Sequence, residues 1–136
     1  MTWPPNTVMV VLSTAQLPLG AYSETYAPVA VDVSHWLEEL IKLHKDVASR
    51  GARRLADAGL RTEERVLPGD PREVLIDEAR KERADLIVVG SHGRTGLEKL
   101  VMGSVATHVV THAPCSVLVV RRTSPAKTPA GRETHA

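Results

Sequence analysis

The chain has 136 residues with 17 Lys+Arg against 16 Asp+Glu, a formal charge of +1, enough length for one compact domain that buries roughly 70% of its unfolded surface. That balance supplies no field to collect nucleic acid or an anionic membrane, and four aromatic residues with no Phe leave few platforms on which bases could stack. A single cysteine, Cys115, excludes an intrachain disulfide, and with no apolar run near eighteen residues and no basic flank and apolar stretch at the N-terminus, a cytoplasmic protein is expected.

Val8-Met9-Val10-Val11-Leu12 is short and continuously apolar, the pattern of a parallel strand covered on both faces. From Ser13 to Val33 the chain carries Pro18, Gly20 and Pro28 without sustained period; a loop of that length is expected to be functional, a lid or a dimer arm. Val33, Trp36, Leu37, Leu40, Ile41, His44, Val47, Ala48, Ala52, Leu55 and Ala56 then recur at helical spacing, with Asp32 or Ser34 to cap the start and Gly59 to close the end. This stripe is expected to face the core, and Arg50, Arg53 and Arg54 the solvent.

Thr62 to Leu67 is a more polar strand candidate, as suits a sheet edge. Asp70-Pro71-Arg72-Glu73 supplies an N-cap, a proline at the first helical position and an acid three residues after the cap, predicting a helix to about Arg83. Asp85 to Val89 is the next apolar strand, Ser104 to His112 a helix stopped near Pro114, and Ser116 to Val120 the last strand. Residues 122–136 are read as a flexible tail behind a domain spanning 1–121. Strands alternating with helices call for an α/β fold, a parallel sheet with helices on both faces, whose ligands bind beyond the carboxyl ends of the strands.

Nine glycines serve the whole chain, yet Gly90, Gly93, Gly96 and Gly103 crowd into the stretch GSHGRTGLEKLVMGS that follows Leu86-Ile87-Val88-Val89. Gly90 and Gly93 allow a sharp turn that exposes backbone N–H groups, and Gly103-Ser104 opens a helix whose first-turn amides favour an anion, with the Ser104 hydroxyl donating to it or capping the helix.

The spacing Gly90-x2-Gly93-x9-Gly103-Ser104, with Asp70-Pro71 before a helix and Ala113-Pro114-Cys115-Ser116-Val117-Leu118-Val119-Val120 after, resembles the signature of the universal stress protein (UspA-like) family, from about Val8 to Val120. The resemblance implies a Rossmann-like fold of the adenine nucleotide alpha hydrolase type, with strand order 3-2-1-4-5. It further implies a homodimer formed through the last strand, Ser116 to Val120, and places the chain with the members that bind ATP (or AMP), with Mg2+ as a possible companion. By the same resemblance Thr14 contacts adenine, Val89 and Gly90 line the ribose, and His92, Gly93, Gly103, Ser104 and Val105 approach the phosphates. The family's usual first strand and helix, with an acidic residue that contacts adenine, have no counterpart before Trp3, so the sheet is expected to be short of its central strand.

His108, His112 and Cys115 are close in sequence, but Pro114 interrupts the geometry and no fourth ligand is spaced for a metal, so none is expected. The glycine stretch lacks the Gly-Lys-Ser/Thr ending of a Walker loop; Arg94 is its nearest cation, and Asp85 and Glu98 are its only nearby acids. The expectation is therefore a stress-response module that binds nucleotide without efficient turnover. The alternatives are a slow nucleotide hydrolase and an interaction subunit that has lost the nucleotide.

Overall fold

The computed structural model describes residues 2–16, 34–91 and 102–121. They form seven elements in the order β1 (Val8–Ala15), α1 (Ser34–Asp57), β2 (Arg61–Pro68), α2 (Pro71–Lys81), β3 (Leu86–Gly90), α3 (Ser104–His112) and β4 (Ser116–Val120). The chain divides into two compact units, Met1–Asp77 and Glu78–Ala136, each holding one two-stranded parallel sheet. Each parallel connection runs through a helix, as parallel pairing requires, and the α/β alternation read from the sequence is met.

In the first unit β1 pairs with β2 from Val8↔Arg61 to Ala15↔Pro68. The strand is longer than its apolar run, because Ser13, Thr14 and Ala15 continue the ladder opposite Val66, Leu67 and Pro68. The predicted loop therefore begins later than Ser13; its residues 17–33 lie outside the described ones. Helix α1 packs on one face of this sheet. A Cβ added at Gly51 would stand 3.3 Å from Val11 Cγ1, and the Ser13 hydroxyl and His44 Nδ1 are 2.6 Å apart, so the face bearing Val11 and Ser13 is the covered one. Side chains alternate along a strand, which puts Val8 and Val10 on the other face, and both are exposed. Among the described residues of this unit, α1 covers the Val11 and Ser13 face of β1, one of the two faces whose coverage its unbroken apolar run predicts. Polar β2 pairs with β1 only, among the described residues, and its Glu63 and Glu64 are exposed, in keeping with an edge strand.

The buried stripe of α1 centres on Ala48 and Ala52, small residues that let helix and sheet approach closely. Trp36 and Leu43 stand about 120° and 140° around the helix from Ala48, at 100° per residue, and are 67% and 64% exposed. Trp36 was expected in the core stripe; its angular offset takes it out.

Both α1 and α2 end in the same way. Gly59 N–H donates to Ala56 O and Leu60 N–H to Leu55 O; Arg83 N–H donates to Arg80 O and Ala84 N–H to Ala79 O. These are Schellman closures, with Gly59 at φ 87° and Arg83 at φ 48° in the left-handed position. The start of α2 is the predicted cap: the Arg72 amide donates to Asp70 Oδ1 at 2.9 Å. The Arg72 guanidinium also meets the Asp70 carboxylate at 2.7 Å, which raises its pKa above the ordinary arginine value.

In the second unit β3 pairs with β4 from Leu86↔Ser116 to Gly90↔Val120. Ile87 is buried while its neighbour Val88, on the other face of the strand, is exposed; Ala106 and Val109 of α3 are fully buried.

Candidate functional site

Five of the residues singled out by the glycine spacing come together in the second unit. Half-buried Val89 and exposed Gly90 end β3, and Gly90 is still in the ladder, opposite Val120. Ser91 follows, buried, and acts as a clasp. Its N–H donates to Val120 O at 2.9 Å, and its carbonyl accepts the Gly103 N–H at 2.6 Å. The carboxyl end of β3, the end of β4 and the start of α3 are thereby held at one place, where open α/β sheets present their ligands. His92 and Gly93 lie outside the described residues, as do Arg94, Glu98 and the 122–136 tail. Thr14 belongs to the first unit, in β1 opposite Leu67.

The helix start corrects one detail of the sequence reading. Gly103, at φ −60° and ψ 162°, is the N-cap residue, with no side chain to cap the amides. Its carbonyl accepts both the Thr107 N–H at 3.0 Å and the Thr107 hydroxyl at 2.9 Å. Ser104 is therefore the first helical residue rather than the cap, and its side chain is exposed. Within the helix, the amides of Ser104, Val105 and Ala106 have no carbonyl one turn back to bind. The first-turn N–H groups and the positive end of the helix dipole lie at a terminus whose N-cap residue makes no side-chain hydrogen bond, a disposition that suits a phosphate.

Gly103 is not required by its dihedrals, which any residue adopts; its N–H is already bound by Ser91. Asp85 precedes Leu86 at the amino end of β3, away from the phosphate-receptive end. Among the described residues no three His, Cys, Asp or Glu side chains converge on a common point, so these residues supply no protein cage for Mg2+. Ser91 and Thr107, which hold the site together, were not singled out in the sequence. The signal for Ser91 was its place between the strand's last glycine and the rest of the motif.

The family model described as the Universal stress protein family matches residues 6–121. The chain belongs to the universal stress protein family. A universal stress protein of Methanocaldococcus jannaschii is 37% identical over 112 residues, 74% of this chain and 66% of that protein. This chain covers 49% of the length of other curated universal stress proteins that it matches, so it spans about half to two thirds of such relatives. Among solved structures, universal stress protein UspA from Lactobacillus plantarum superposes with a TM-score of 0.68 at 25% identity, over 84% of this chain and 77% of that one. A universal stress protein family member from Arabidopsis thaliana, solved with AMP bound, shares the fold at a TM-score of 0.53 and 22% identity, over 86% and 66% of the two chains. The Rossmann-like fold that the family resemblance implies is the fold of these structural relatives. No helix among the described residues is long and apolar enough to cross a membrane.

Proposed function

We propose that this universal stress protein binds an adenine nucleotide, ATP or AMP, and serves in a cytoplasmic stress response by reporting nucleotide state rather than by turning the nucleotide over. The observation that carries the reading is the start of α3 without a side-chain cap, clasped by Ser91 to the carboxyl end of β3. The phosphates lie against the Ser104, Val105 and Ala106 amides, with the Ser104 hydroxyl as a further donor, and Val89 and Gly90 flank the ribose. His92 and Gly93 complete the phosphate side and Thr14 the adenine side, as the family resemblance implies. The AMP in the Arabidopsis relative supports the nucleotide class. Mg2+ would come with the phosphates, since the described residues fit no cage for it. The glycine stretch lacks the Gly-Lys-Ser/Thr ending of a Walker loop, which supports a reading without efficient turnover.

A second reading is an interaction subunit, and exposed apolar side chains favour it: Val88 and Val120 in the second unit, Val8 and Val10 in the first. Here β4 forms a homodimer contact. Both readings are compatible with dimerisation; only the first requires nucleotide.

Isothermal titration of the full chain with ATP and with AMP, each with and without Mg2+, on a sample whose size and fold have been checked, tests the proposal. Saturable binding near one nucleotide per chain with less than one equivalent hydrolysed supports it. Heats of dilution alone from a folded protein would move the function to its interfaces, and multiple turnovers would make it a hydrolase.

A further inference from the structure

At the other end of α3 from the nucleotide site, two imidazoles stand together. His108 and His112 are one helical turn apart, their ring centroids 4.2 Å from each other and their planes inclined by 23°. His112 Nδ1 lies 3.0 Å from the His108 carbonyl oxygen. A carbonyl can only accept, so this nitrogen carries the proton and the neutral ring presents Nε2 with its lone pair outward. That is the arrangement in which histidine ligates metals: one ring nitrogen anchored by donation to a backbone carbonyl, the other bare. The last turn of the helix adds its negative dipole end, which favours a cation.

We infer that His108 and His112 form a two-imidazole chelate for a late first-row divalent cation such as Zn2+, Ni2+ or Cu2+. Metal–nitrogen bonds of about 2.0–2.1 Å require the two ligating nitrogens to come within roughly 3 Å at a right-angled bite, a separation that imidazoles one turn apart can reach. A stack is not yet a chelate, because an ion lies in the plane of each ring that binds it. Rotation of one ring about its Cβ–Cγ bond, a broad and soft torsion, makes the conversion. Cys115 is not part of the site, since no third His, Cys, Asp or Glu among the described residues joins the pair; water completes the coordination. Expecting no metal from the ligand spacing rested on a set of three or four ligands, whereas two on one helix face suffice for a chelate.

The test is titration of the untagged full chain with Zn2+ alone, without nucleotide, followed by calorimetry. One ion per chain is expected, at least tenfold weaker binding in His108→Asn and in His112→Asn, unchanged binding in Cys115→Ser, and tighter binding of Cu2+ than of Zn2+. A hundredfold excess of Mg2+, which prefers oxygen ligands, should leave the affinity unchanged. Absence of Zn2+ binding, affinity equal to the parent's in either histidine variant, or loss of binding in Cys115→Ser would overturn the assignment. His112 is exposed and His108 half-buried, so melting temperatures check that each variant is folded, and ATP titration of the same variants separates this result from that of the nucleotide site.

Discussion

Replacing Gly103 by valine tests the reason for the last glycine of the motif. Its φ of −60° and ψ of 162° lie in the extended region that valine favours, and its N–H bond to Ser91 and its carbonyl bonds from Thr107 are backbone-centred, so the local path survives. Valine is a poorer N-cap than glycine, and a stability loss of about 1 kcal/mol follows from that alone. A side chain at an N-cap position reaches the first-turn amides, so valine there is expected to crowd the amides that follow Gly103. Hydrogen bonds from such groups to a charged phosphate contribute about 1.5–3 kcal/mol each, so denying one of them weakens ATP about 10- to 150-fold. Gly103→Ala, with one methyl, should fall between the two. Calorimetry at fixed ionic strength reads the affinity, and thermal melting confirms that each variant is folded. A folded Gly103→Val protein that binds ATP within about twofold of the parent would refute the phosphate cradle and return the glycine to a turn.

Further predictions concern the scaffold. Gly59 and Arg83 occupy the same left-handed position in two equivalent helix closures, so Gly59→Ala should destabilise and Arg83→Gly should stabilise, each by about 1 kcal/mol. Urea midpoints at unchanged slope read both, and shifts of the same sign would contradict the shared motif. Gly51→Leu should cost about 1–3 kcal/mol by prying α1 from Val11, visible as a lower melting temperature, and a neutral result would mean that the helix does not approach β1 so closely. Trp36→Ser should change stability by less than about 0.5 kcal/mol because the ring is exposed; a loss of several kcal/mol would return Trp36 to the core.

The parts of the fold governed by periodicity were legible. Every helix and strand has its counterpart in the sequence, and the Asp70 cap and the Gly59 closure follow from residue chemistry within a few positions. What was hidden depends on partners remote in sequence. The extension of β1 through Ser13-Thr14-Ala15 is decided by the ladder to Val66, Leu67 and Pro68, although the three residues have little strand character themselves. The exposure of Val8, Val10 and Val88 is hidden because an apolar strand reads alike whether one face or two are covered. At the candidate site, the glycine spacing located the anion-receptive end of α3, yet the cap passed to Gly103 and the clasp to Ser91. Both depend on backbone hydrogen bonds that side-chain identity does not encode.

The clasp also bears on which changes at Ser91 the fold can absorb. Both of its bonds, from the Ser91 N–H to Val120 O and from the Gly103 N–H to the Ser91 carbonyl, are made by backbone atoms, so they belong to the position and not to the serine. Replacing the serine by alanine removes only the hydroxyl of a buried residue and leaves the carboxyl end of β3, the end of β4 and the start of α3 tied together. Deleting the residue would untie all three.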